Sequence, residues 1–246
     1  MSMTRRQMML AGLGLLVTGC TTPSTSTSRR PGADWPSDIS SPRPSQGQSV
    51  DAGSSRATSG PSQASSASPT PGAGSDGPLE AISRDRWASR GPVPGRVNRM
   101  GEINRITVHH EGWTPVNFTD FTRTAQRIEH DRHVHVDHRG WGDIGYHYII
   151  DRQGRLWEGR SLAYQGAHVG GHNEHNIGIM CLGNFDQQQP TNRQVDALVD
   201  TLRKLRRSYD IPVSRIYTHQ ELSPSACPGT NLQPRMVRIR RGSYLG

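Results

Sequence analysis

Hydrophobic residues are scarce in this chain of 246 residues: they make up 32% of it, aromatics 6%, and the mean hydropathy is −0.71. A chain so poor in apolar side chains is not globular throughout, because burial must offset the entropy of every ordered residue. The shortage is uneven. From Thr21 to about Pro78 the residues are mostly Ser, Thr, Pro, Gly and Ala, and no apolar residue recurs at helical or strand spacing. That stretch reads as a disordered linker, residues 21–79. All 11 histidines and every tryptophan except Trp35 lie beyond residue 80, so the folded domain is expected over residues 80–246, long enough for one core. A membrane-spanning run is lacking at the N-terminus: the apolar stretch Met8 to Val17 is about half the length needed to cross a bilayer. Cysteine is nearly absent as well. The three present, Cys20, Cys181 and Cys227, exclude a disulfide-built scaffold. There is no internal repeat.

What the N-terminus does have is Arg5 and Arg6 ahead of that short apolar run, the layout of an export signal over residues 1–20. The run closes in Val17-Thr18-Gly19-Cys20, which resembles a bacterial lipobox. Cys20 would then become a lipidated N-terminus, followed by a tether with a root-mean-square reach of roughly 40 to 45 Å. Thr4-Arg5-Arg6-Gln7-Met8 also resembles a twin-arginine signal, and general export is the alternative. Thr21 is not the aspartate that retains lipoproteins at an inner membrane, so a periplasm-facing, lipid-anchored place on the outer membrane is expected in a Gram-negative cell.

The net charge is +8 and the isoelectric point about 10.1, which calls for an anionic partner. For an exported chain that partner is envelope polymer or lipid head groups. The basic residues are dense only in "RKLRR" and "RMVRIRR", with no aromatic-interleaved stripe, so no nucleic-acid partner is expected. A monomer is expected.

Strand and helix signals interleave. "INRITVHH" alternates Ile106 and Val108 with polar neighbours and ends at His109 and His110, whose side chains point to opposite faces. Phe118, Phe121, Ala125 and Ile128 recur at helical spacing behind Thr119 or Asp120 as a cap. "IGYHYIID" and "RLWEGR" flank Arg152-Gln153-Gly154 as a hairpin. "NIGIMCLGNF" reads as a central strand covered on both faces. Thr191 and Gln194 in capping-box spacing open a helix carrying Val195, Leu198, Val199, Leu202 and Leu205 on one face, and "SRIYTH" is a short strand delivering His219. The class expected is mixed α/β, a central mixed β-sheet flanked by helices.

"YTHQELSPSACPG" raises the question of chemistry. His219 and Cys227 fit two corners of a metal site, but equally a surface histidine that precedes a buried thiol, and their spacing leaves both open. Four stretches together, "ITVHHEGWTP", "RGWGDIGYHYIIDRQGRLWEGR", "GAHVGGHNEHNIGIMCLGNF" and "THQELSPSACPG", resemble the amidase-2 family of zinc N-acetylmuramoyl-L-alanine amidases, which includes the T7-type phage lysozyme and the peptidoglycan recognition proteins. The resemblance implies Zn²⁺ held by His109, His219 and Cys227, peptidoglycan or muropeptides as substrate, and Tyr146 as a catalytic hydroxyl. Two imidazoles and a thiolate leave zinc an open position. An ordinary phenol is a poor base, so Tyr146 is assigned to oxyanion stabilisation. Ser225 stands where the phage enzyme has a lysine and is carried as a catalytic hydrogen-bond donor.

The same resemblance places Trp141, Arg160, His168 and Asn173 along the substrate groove, with Arg160 suited to the extra carboxylate of a diaminopimelate stem. Among the other histidines, His130, His133, His135 and His138 are read as a helix end or groove rim rather than a second metal site, and His147 as structural. A Cys181–Cys227 disulfide is the account that competes with the metal site. The functional alternative is a peptidoglycan-binding module without catalysis.

Overall fold

A computed structural model describes residues 79–246. The expected signal segment, residues 1–20 with its lipidated Cys20, and the linker up to residue 78 lie outside the described residues. Five strands form one sheet in the order β3-β2-β4-β1-β5. They are β1 (Arg105–His110), β2 (Tyr148–Ile150), β3 (Leu156–Glu158), β4 (Asn176–Cys181) and β5 (Ile216–Thr218). β2, β4, β1 and β5 run parallel, and β3 returns antiparallel on β2 through the turn at Gly154, where φ is 80°. The sheet is mixed, as the interleaved pattern implied.

The helices cover both faces. α1 (Phe121–His133) is capped by Asp120, whose carboxylate accepts the Arg123 N–H, and it runs on into a wider turn at Val134–His138. α2 (Asn192–Ser208) starts at Thr191, whose hydroxyl accepts the Gln194 N–H. Gln194 completes no capping box: its buried amide donates to the carbonyls of Ile150 and Leu182, tying α2 to the ends of two strands. The four-residue α3 (His219–Leu222) follows β5 directly, and α4 (Gln233–Arg241) closes the fold. The sequence reading had no helix at α4, where only Met236 and Ile239 are buried among arginines.

Alternation along the strands splits the core in two. Ile106, Val108, Ile177, Ile179 and Cys181 face Leu198, Leu202 and Leu205 of α2 and Met236 and Ile239 of α4. Ile149, Trp157 and Met180 face Ile128 of α1 on the other side. All six residues of β4 are buried, which explains its unbroken apolar run. Among the described residues no helix is long and apolar enough to cross a membrane.

Candidate metal centre

β1 and β5 are parallel neighbours with Val108 opposite Thr218, so the residues that follow, His109 and His219, leave the sheet side by side. Their rings lie 4.9 Å apart between centroids. Cys227 is brought back by the loop after α3: the Gln220 N–H donates to the Cys227 carbonyl at 2.9 Å, and Ser225 Oγ accepts the Cys227 N–H at 3.1 Å. One donor atom from each of His109, His219 and Cys227 lies within 4.8 Å of the others, and they form the one such donor group among the described residues. Cys181 and Cys227 are separate thiols, with Cys181 packed toward α2.

The donor set fits a tetrahedral zinc. Ligands at ordinary Zn–N and Zn–S lengths stand about 3.3 to 3.6 Å apart, and His109 Nδ1 lies 3.5 Å from Cys227 Sγ. Three donors leave one coordination position. Burial first, then the neighbouring His168, His219 and His110, holds the His109 pKa well below its ordinary value, and burial also lowers that of His219. Burial thus favours the neutral form of both imidazoles, the form that ligates a metal. Burial pushes the Cys227 thiol up to about 12, against the His110 N–H that donates to Sγ at 3.4 Å. A cation at this point would supply the charge that a thiolate needs.

His168 departs from the groove-lining place expected for it. It is buried on two glycines: a Cβ on Gly166 or Gly178 would come within 2.3 or 2.5 Å of its ring. Its Nε2–H donates to the Asn176 carbonyl at 3.2 Å, which leaves Nδ1 to accept from His109 Nε2–H at 3.0 Å. That chain fixes the tautomer of His109 with the Nδ1 lone pair directed at the donor group. His147, just before β2, is held in the same manner, Nδ1 accepting from Gly178 N–H and Nε2 donating to the Tyr164 carbonyl.

Tyr146 lies beside the donors, its ring 5.2 Å from that of His109. Burial, then Cys227, raises its pKa far above the phenol range, so the hydroxyl keeps its proton and acts as a donor. It borders a cavity of about 40 Å³ with Trp113, His135, Arg139, Glu111 and Asp131. Glu111, the carboxylate next to the first ligands in sequence, is turned onto Arg127 and is no member of the donor group.

A groove of about 320 Å³ contains Trp141, Arg96, Asn98, Gln165, Asn173 and Arg160. Trp141 stacks on His135 at 4.6 Å, with the Arg139 guanidinium carbon 5.1 Å from the centre of the Trp141 ring. Arg160 borders the groove, as expected, and is also tied to the backbone. It is 4% exposed and donates to the carbonyls of Ile144, Gln165 and Asp143 at 2.8, 2.6 and 2.9 Å. At most two of its five N–H groups are left for a ligand; the guanidinium braces the segment that carries Tyr146. Asn173 likewise turns its side-chain oxygen onto the N–H groups of His168 and Val169. Of the clustered histidines, His133 pairs with Asp137, and His135 Nδ1 accepts from Gly145 N–H.

Residues 99–230 match the Amidase_2 family, N-acetylmuramoyl-L-alanine amidase. The chain belongs to that family. Among Amidase_2 relatives, an N-acetylmuramoyl-L-alanine amidase of Homo sapiens is 33% identical over 152 residues, 61% of this chain and 26% of the human protein. The chain thus spans about a quarter of that relative's length. The endolysin of Enterobacteria phage K11 is 37% identical over 100 residues, 39% of this chain and 65% of the endolysin. Among solved structures, the ectodomain complex of peptidoglycan recognition proteins LCa and LCx with bound tracheal cytotoxin aligns with a TM-score of 0.58 at 27% identity, covering 65% of this chain and 95% of the other.

Proposed function

We propose that this domain hydrolyses the amide between the lactyl group of N-acetylmuramic acid and L-alanine, in peptidoglycan or its fragments, with Zn²⁺ held by His109, His219 and Cys227. The observation that carries the proposal is the convergence of these three donors within 4.8 Å, His109 and Cys227 at 3.5 Å, beside the ring of Tyr146. Family membership and a relative bound to tracheal cytotoxin support the substrate class. When bound, zinc supplies Lewis acidity toward the scissile carbonyl and toward a water nucleophile.

The rest falls to the chain itself. Tyr146 donates a hydrogen bond to the oxygen on which negative charge develops, a contribution that strengthens as the carbonyl becomes tetrahedral. His168 holds His109 in its ligating tautomer. Ser225 shapes the Cys227 loop through its oxygen and has its hydroxyl hydrogen left to donate to substrate. Trp141 and Asn173 border the groove in which the stem peptide lies. A binding module without catalysis needs the groove but not the thiolate, and Cys227 supports the hydrolytic reading. We place the domain in the cell envelope, tethered by a lipid on Cys20.

Incubation of purified muropeptides with the protein, with and without a chelator, tests this: mass spectrometry finds stem peptides with a free L-alanine amine only when zinc is present. Zinc bound stoichiometrically with no such product overturns hydrolysis in favour of binding. Metabolic labelling with a palmitate analogue, lost in Cys20→Ala, tests the tether.

A further inference from the structure

The positive charge of the described domain is not spread over it. Residues 203–246 contain nine Lys and Arg against two Asp and Glu, whereas residues 79–202 contain fourteen against fifteen. The surplus is therefore carried by the end of α2, by α4 and by the segments around them. Elsewhere the two signs nearly cancel in number, and four arginines are held in ion pairs: Arg84 with Asp143, Arg127 with Glu111, Arg132 with Glu129 and Arg155 with Asp151. On α4, Arg240 is matched by Glu221, but Arg235, Arg238 and Arg241 have no carboxylate partner in the described residues. Arg238 and Arg241 are exposed, on the side of the helix away from the buried Met236 and Ile239.

Two apolar features accompany these charges. A groove of about 410 Å³ between α4 and β5 contains Val213, Ile216 and Val237, with Arg241 and the Arg240–Glu221 ion pair beside them. Tyr244, 57% exposed, and Tyr209, 36% exposed, are the large hydrophobic residues left open in the described domain, and both belong to this C-terminal stretch. Unmatched guanidinium groups next to an apolar-floored groove and a protruding tyrosine suit a layer that is charged at its surface and apolar beneath. A soluble polyanion would use the charges and leave the groove and ring without a partner. Geometry adds a further point: α4 packs on the sheet face opposite the one that carries His109 and Tyr146, because Met236 and Ile239 share a core with Val108 and not with Met180. Occupation of this face leaves the metal centre open.

We infer that the α4 face, Arg235, Arg238 and Arg241 with Val237 and Tyr244, docks the domain on an anionic phospholipid surface. This contact is additional to any lipid on Cys20 and stands whether or not the metal centre hydrolyses an amide. A basic side chain at such a surface strengthens binding by roughly fivefold each, and the gain is screened by salt.

The test is co-sedimentation of the full chain with phosphatidylglycerol-containing vesicles and with phosphatidylcholine vesicles, at low and high salt. An acyl chain or apolar N-terminus binds both vesicle types, so the difference between them isolates the charge-dependent contact. The triple variant Arg235→Gln, Arg238→Gln, Arg241→Gln is expected to lose at least tenfold of the anionic-specific partitioning. The matched triple Arg86→Gln, Arg90→Gln, Arg123→Gln, on the α1 side, should stay within about twofold of the native chain, as should the lysine triple at the α4 positions, which keeps the charge. Val237→Asp should also weaken binding. Equal losses in both glutamine triples, or undiminished binding in the α4 triple, overturn the inference. So does an α4 triple that loses affinity for soluble polyphosphate while binding vesicles as before.

Discussion

Replacing His168 by alanine removes the acceptor of His109 Nε2–H without touching any of the three metal donors. In the native chain the ring accepts that N–H at 3.0 Å and passes the constraint to the Asn176 carbonyl at 3.2 Å. With the ring gone, His109 is free to take the other tautomer, whose proton would sit on Nδ1, the atom that faces Cys227. Loss of such an outer partner weakens metal binding by about 10- to 100-fold, or about 1.4 to 2.7 kcal/mol. His168→Asn places a side-chain oxygen near the lost Nδ1 and should recover most of the affinity. The assay is competition for zinc against a chromogenic chelator at fixed pH, with the thermal midpoint of each metal-free variant as a check on folding. Zinc affinity in His168→Ala equal to that of the native chain would refute the assignment of His168 as a positioning residue.

Other substitutions separate the remaining roles. Tyr146→Phe should lower kcat by about 10²- to 10³-fold with zinc content unchanged, as read by turnover of a purified muropeptide alongside metal analysis. Gln194→Leu removes the buried amide donor from the Leu182 carbonyl and from the Ile150 carbonyl, which keeps only the Leu182 N–H, and should cost about 1 to 3 kcal/mol in denaturant unfolding. Glu221 has a carboxyl that burial alone would raise, but Arg240 and the Thr218 N–H outweigh it and hold the pKa at about 2. A depressed folded-state pKa stabilises fully above the ordinary value of 4.5 and is lost as the pH falls toward 2. Thermal midpoints of Glu221→Gln should therefore fall less between pH 5 and 2 than those of the native chain.

What the sequence made legible is what is local in the chain. The Asp120 cap, the Gly154 turn, the buried run of β4 and the strand that ends in His109 and His110 each follow from neighbours a few residues apart. Family resemblance supplied the distant pairing of His109 with His219 and Cys227, which no spacing dictates. His168 was misplaced because its role depends on a contact across 59 residues, made possible by Gly166 and Gly178 leaving room for the ring. The two glycines were the available signal. The groove position of Arg160 follows the family resemblance, whereas its bonds to three backbone carbonyls depend on residues 143, 144 and 165 that the fold brings around it and no local pattern announces. α4 escaped notice because two buried residues among four arginines give little periodicity, although Pro234 in its first turn marked the start.

The central claim is that His109, His219 and Cys227 hold one zinc ion on which hydrolysis depends. Metal analysis of the purified chain, paired with turnover of the same sample on a muropeptide, tests it most directly. The account requires one zinc per chain, with zinc and free L-alanine amine product lost together in Cys227→Ala. Product formation that persists at the native rate in a zinc-free Cys227→Ala preparation would contradict it.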